Sequence, residues 1–263
     1  MPLDRPGGGS AALDAMSLPE DPDCARTARA ANRRFYDALW SAGYLVPPHR
    51  FNTWPELSVL AATATARLEV GPGLRPRLPV CGTHFVDVSE PAVARLRERG
   101  GLATLSDVTA LPFRDRAFDL VCAFDIVEHV EDDRRVFAEL SRVARRGASV
   151  VLSVPLHRAR WTAFDALVGH VRRYEPDHLL ALLREHGLAL ERTAVFGMEP
   201  RSRWLLDLAV WGLTKRRVQA LRWYNALLLP LGLLTQRRLE WGTGLIDVAG
   251  VGELLLACRR RGG

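Results

Sequence analysis

Lysine is nearly missing from this chain. Of its 36 basic residues 35 are arginine, and Lys215 stands alone. An arginine excess spread so evenly points to a GC-rich coding genome rather than to a surface built for nucleic acid. Cysteine is scarce as well. Cys24, Cys81, Cys122 and Cys258 lie far apart and form no CxxC pair. That excludes a disulfide-stapled mini-domain, and neither a structural zinc site nor any other metal is expected. A reducing cytoplasm is the simplest compartment, with Cys122 a small buried hydrophobe. Long apolar runs are missing too. The longest, Ala226–Leu234, is broken by Pro230 and Gly232 and falls far short of the ~20 residues that cross a bilayer. No internal repeat is visible. Residues 1–23 are rich in Gly, Pro, Ser and acid. They read as a disordered lead-in, not as a basic and then apolar signal peptide.

What remains is ordinary globular material: 263 residues, 48% hydrophobic and 25% charged, enough for one large domain with an insertion. The net charge of +6 is uneven. Residues 201–263 hold 11 basic and 4 acidic residues (net +7), whereas residues 1–200 hold 25 and 26 (net −1).

Three segments follow the lead-in. Residues 24–65 are expected to form an N-terminal helical cap: Ala28, Ala31, Phe35 and Leu39 fall on a helical period, and a Pro-punctuated loop carrying Phe51 and Trp54 runs from Val46 to Pro55. From residue 66 to the C-terminus, short apolar strands alternate with helices. The strands are expected at Ala66–Val70, Thr83–Val88, Ala103–Leu105, Phe118–Phe124, Ser149–Val154, Leu190–Phe196 and Glu253–Arg259. Helices are expected from Ser89, over Asp132–Arg146 and over Pro176–His186. This alternation predicts a doubly wound, Rossmann-like α/β sheet. Residues 198–247 interrupt it with an apolar, basic insertion holding four of the seven tryptophans.

Two features point to a nucleoside ligand. Gly71-Pro72-Gly73 follows the first strand, where a tight turn lets backbone approach a ligand and leaves N–H groups free. Asp87 ends the second strand, placed to accept from both ribose hydroxyls. A nicotinamide dehydrogenase would prefer GxGxxG, and the chain has GPGLRP.

Four ordered stretches, LEVGPG (Leu68–Gly73), FVDVS (Phe85–Ser89), SDVTALPFRDRAFDLVCAFDIVEHV (Ser106–Val130) and ELSRVARRGASVVLSVP (Glu139–Pro155), resemble class I S-adenosylmethionine-dependent methyltransferases. Gly169–Leu188 (GHVRRYEPDHLLALLREHGL) is similar to a stretch common in the small-molecule branch. The resemblance covers about half the chain. It implies a seven-stranded sheet with a reversed final hairpin, and S-adenosylmethionine as cofactor. It places Glu69, Gly71 and Gly73 around the methionine part, Asp87 and Val88 at the ribose, Asp107 and Val108 at the adenine, and Phe124 and Asp125 on the sulfonium side. One position departs from the pattern. Arg75 stands where a further glycine is usual, and it can crowd the loop, point outward, or meet the cofactor carboxylate.

Methyl transfer needs donor and acceptor aligned, and a hydroxyl or amine acceptor also needs a proton sink. His129, His157 and His170 are the candidate bases; a carboxylate acceptor would need none. Arg172, Arg173 and Tyr174, with Trp54 and Trp161, are candidates for holding the acceptor. The expected acceptor is a small, partly apolar metabolite, methylated on oxygen in preference to nitrogen or carbon. The insertion reads as a helical layer or a lid. Contact with a membrane surface through Arg216, Arg217, Arg222, Arg237 and Arg238 is a less favoured reading, and the oligomeric state stays open. Two alternatives accompany this one: a non-catalytic protein that kept the fold, and an RNA methyltransferase, which the net −1 of residues 1–200 disfavours.

Overall fold

The computed structural model describes residues 33, 36–41, 43–197, 210–212 and 214–262. The lead-in, the start of the expected cap helix and residues 198–209 of the insertion lie outside them. One mixed sheet of eight strands organises the rest: β1 (Arg67–Val70), β2 (His84–Asp87), β3 (Leu102–Leu105), β4 (Phe118–Phe124), β5 (Ala144–Pro155), β6 (Leu188–Phe196), β7 (Trp241–Thr243) and β8 (Glu253–Arg260). The spatial order is β3-β2-β1-β4-β5-β8-β6-β7. β1 to β5 run parallel. β8 enters antiparallel between β5 and β6, as the reversed final hairpin requires. The expectation of seven strands is corrected to eight. The insertion returns along the sheet edge and adds β7, antiparallel to β6.

Strands β1, β4 and β5 are buried on both faces, the reason they read as continuous apolar runs. Val121, Phe137, Leu140, Val150, Leu152 and Leu254 are fully buried on one side of the sheet. Leu120, Cys122, Val151 and Leu255 form the core of the other, under Leu57 and Ala61. These last two come from α1 (Trp54–Thr63), which lies within the expected cap segment and takes its first two residues from the expected loop; Pro55 sits in its first turn, where proline is tolerated. α2 (Glu90–Glu98) has Pro91 in its first turn. α3 (Asp133–Val143) is capped by Asp132, whose side chain accepts from Arg135 N–H. It stops at Val143, and β5 begins directly, five residues before the expected strand. α4 (Ala163–Val168) starts with a Thr162/Asp165 capping box and ends on Gly169 in the left-handed conformation. α5 (Pro176–Glu185) leads into β6. Within the insertion, α6 (Arg217–Trp223), a π turn (Tyr224–Leu228) and α7 (Leu229–Leu234) run on without a break.

Candidate cofactor and acceptor site

The chain leaves β1 toward β2 and β3 on one side and β4 and β5 on the other. This is the switch point of an open α/β sheet, where a ligand crevice forms beyond the carboxyl ends of the strands. The ends of β1, β2 and β4, and the turn after β3, present Gly71, Asp87, Asp125 and Asp107 along that crevice.

The glycine turn is held tightly. Gly71 (φ +65°) donates to Val86 O at 2.7 Å, and Gly73 has φ +53°. A Cβ on Gly71 would come within 2.0 Å of Ile126 Cδ1, and one on Gly73 within 2.1 Å of Trp40 Cζ2. Asp87 braces the turn from the side. Its carboxylate accepts from Gly73 N–H at 2.9 Å and Ser89 N–H at 2.8 Å. Burial pushes it up to about 6 against those two hydrogen bonds. Glu69 turns toward the loop itself, accepting from the N–H groups of Arg77 and Leu78 at 2.9 and 3.0 Å. Burial raises it to about 7. Asp107 caps the short turn Val108–Ala110 through Thr109 N–H at 2.8 Å. Val108 is buried under it, while Val88 is 40% exposed.

Arg75 turns inward. Its guanidinium lies 5.0 Å from the Trp40 ring and 4.9 Å from the Tyr224 ring. Nε and Nη2 are buried without a hydrogen-bond partner among the described residues. A buried guanidinium with idle donors needs an acceptor, and its flat fork suits a carboxylate.

Beyond β4 the crevice changes character. Asp125 (φ +53°) accepts from Ser153 Oγ at 2.5 Å and shares a hydrogen bond with Glu253 at the start of β8. Burial and Asp125 together raise Glu253 well above the usual carboxylate range, and the same two causes raise Glu128. Arg77 lies over Phe51 at 3.7 Å, with Phe124 and Phe196 at 5.7 and 5.6 Å. Three aromatic rings thus surround the Arg77 guanidinium, and two carboxyls meet at Asp125 and Glu253.

The three candidate histidines separate. His129 and His170 come together, ring centroids 4.6 Å apart. His129 Nδ1 faces Gly169 O and Nε2 faces the Tyr36 hydroxyl, both at 3.2 Å. Burial, then His170, lower His129 to about 3, so it is neutral at pH 7. With Nδ1–H donating to the carbonyl, Nε2 accepts from Tyr36. His170 Nδ1 is 2.9 Å from Asp165 Oδ1. His157 lies apart, with Nε2 on Val248 O at 2.8 Å.

Three of the expected acceptor-binding residues are engaged in contacts with the protein itself. Arg172 pairs with Asp133, and Tyr174 is 1% exposed with its hydroxyl donating to Asp133. Arg173 clasps Asp165 and reaches the carbonyls of Leu156 and Gly252. Trp54 opens α1, and Trp161 is 40% exposed after the turn Arg158–Arg160. Phe51, Arg77 and Glu253, which were not among the expected site residues, cluster near the end of β4 with Phe124 and Asp125. Glu253 had no local signal, because only the antiparallel return of β8 brings it beside Asp125.

The methyltransferase domain family matches residues 68–152. That match spans about a third of the chain. It is 30% identical over 106 residues to a Mycobacterium tuberculosis protein named "Probable S-adenosylmethionine-dependent methyltransferase", covering 39% of each chain. It is 26% identical over 234 residues to an uncharacterized methyltransferase of Mycolicibacterium gilvum, covering 85% of this chain and 84% of that one. The methyltransferase fold recurs in an S-adenosylmethionine-dependent methyltransferase of Thermotoga maritima, with TM-score 0.52, 15% identity, and coverage of 81% of this chain and 91% of that one. Among the described residues, no helix is long and apolar enough to cross a membrane.

Proposed function

We propose that the protein transfers a methyl group from S-adenosylmethionine to a small, partly apolar acceptor, on oxygen in preference to nitrogen or carbon. The observation that carries this reading is the donor set around the switch point: a glycine turn, Asp87, Asp107 and the idle guanidinium of Arg75. These residues fit the cofactor's parts. Asp87 suits the ribose hydroxyls and Asp107 the adenine amino group. Arg75 suits the carboxylate, held flat between Trp40 and Tyr224. When bound, the cofactor supplies a methyl carbon already activated by its sulfonium.

The chain's own residues then align and deprotonate the acceptor. Phe51, Phe124 and Phe196 give it an apolar wall. Held by Asp87, Asp107 and Arg75, the cofactor would supply that methyl carbon to the acceptor atom, with the sulfur–carbon electron pair leaving on sulfur. A hydroxyl proton passes to the Asp125 carboxylate, which shares a hydrogen bond with Glu253. His129, lowered to about 3, keeps its Nε2 acceptor for Tyr36. Arg173 and Asp165 fasten the segment that follows β5.

Calorimetric titration with S-adenosylmethionine and with its demethylated product tests the cofactor assignment. Micromolar binding of both, weakened at least about tenfold in Asp87→Ala, is expected. Unchanged affinity in that variant would remove Asp87 from the site. Arg75→Ala should weaken the demethylated product by about 10- to 100-fold, the range of one charge-assisted contact. It should leave 5′-methylthioadenosine, which lacks the carboxylate, unaffected. Equal losses for both ligands would place Arg75 elsewhere.

A further inference from the structure

The insertion helix is apolar on two sides, and among the described residues only one of them is covered. Leu221 packs with Leu39, Trp40 and Leu74. Leu229 and Leu233 pack with Val46 and Phe51. These contacts seat the helix on the cap. Trp223, Leu227, Leu228, Leu231 and Leu234 face solvent, each between 49 and 74% exposed. One buried stripe is what a surface helix needs, and a second, uncovered stripe of large side chains marks an interaction surface.

Along the segment that carries the stripe, the charge is of one sign. From Leu208 to Leu239 the chain has six basic residues and no acid: Lys215, Arg216, Arg217, Arg222, Arg237 and Arg238. Of these, Lys215, Arg216, Arg222, Arg237 and Arg238 are exposed. A second copy of this chain would bring the same positive field against itself, and like charges repel. A basic or neutral protein surface would leave the arginines without counter-ions. A lipid surface meets both requirements: leucine and tryptophan enter the interface between headgroups and chains, and arginines engage anionic headgroups.

We infer that the helix from Arg217 to Leu234 is a peripheral docking element that seats the protein on an anionic lipid bilayer. Its exposed leucines and Trp223 enter the interfacial layer, and the arginines at its two ends lie on the headgroups. The inference is independent of the methyl-transfer reading, since none of the exposed residues it uses has been placed in the crevice.

Vesicle flotation with the full chain tests it. The vesicles are phosphatidylcholine alone, or phosphatidylcholine mixed with phosphatidylglycerol. Binding to the mixed vesicles and not to the neutral ones is expected, falling with added salt. The variant Arg222→Glu, Arg237→Glu, Arg238→Glu keeps the buried packing and should lose on the order of 100-fold in affinity or more. The variant Trp223→Ser, Leu227→Ser, Leu231→Ser should lose binding while its circular dichroism stays that of the parent. Binding to neither vesicle, or binding unchanged in both variants, would overturn the inference. So would light scattering that shows a dimer converted to monomer by the serine variant, which would assign the stripe to a second copy.

Discussion

Gly73 shows how closely single side chains are fitted to this crevice. Its φ of +53° suits glycine, and a Cβ there would meet the Trp40 ring at 2.1 Å. Gly73→Ala is expected to destabilise the protein by about 2 kcal/mol, from backbone strain and overpacking together. Part of that loss should return in the double variant with Trp40→Ala, because the two sites touch. Urea unfolding of the four proteins measures the coupling, and strict additivity would refute the contact. Glu69 gives a second prediction at this scale. Burial raises it from its ordinary 4.5 to about 7, so the folded protein binds its proton more tightly than the unfolded chain does. Its contribution to stability is therefore present below pH 4.5 and lost as pH rises toward 7. Glu69→Gln abolishes that titration. The stability of the parent relative to the variant should fall across this window, and a flat difference would contradict the assignment. Gly71, Gly73 and Asp87 were legible as residue types at strand ends. The inward turn of Arg75 was not, because nothing local distinguishes a guanidinium facing solvent from one held between rings supplied by two distant segments.

Among the elements, the stretch from α4 to α5 is held by one buried acid. Burial alone would raise the Asp165 carboxyl. Hydrogen bonds from His170, Arg173 and Thr162 instead hold it well below the usual range. Asp165 and Arg173 have side chains only 1% and 6% exposed. Removing one partner of a buried pair leaves an uncompensated charge, which costs about 3–5 kcal/mol. Arg173→Ala should lose stability on that scale while its affinity for the demethylated cofactor changes little. A variant that stays stable and fails only with acceptor present would return Arg173 to the acceptor site. Most of the parallel strands were legible because apolar runs ended on glycine or aspartate, the signature of strands covered on both faces. The start of α1 was hidden, since Pro55 reads as a loop signal until its place in the first helical turn is known. β7 escaped because three residues with a central glycine, Trp241–Thr243, carry no period, and only pairing with β6 makes them a strand.

Across the whole molecule, Arg75 joins three parts of the chain that the sequence keeps far apart. Trp40 belongs to the helical residues 36–41, Arg75 to the glycine loop, and Tyr224 to the insertion. Trp40 also covers Gly73, and Leu221, three residues before Tyr224, packs in the same cluster as Trp40. A ligand carboxylate that satisfies the idle Nε and Nη2 of Arg75 would hold the guanidinium in place between the two rings and so tie the cap and the insertion to the loop. Ligand binding should then slow amide exchange in residues 36–41 and 217–234 together, because both contribute a wall to the same side chain. Hydrogen exchange with and without the demethylated cofactor measures this directly. The expected result is protection of both segments in the parent, and of neither in Arg75→Ala at a ligand concentration that still saturates the variant. Protection that survives in Arg75→Ala would mean that the two segments close on the adenosine rather than on the arginine.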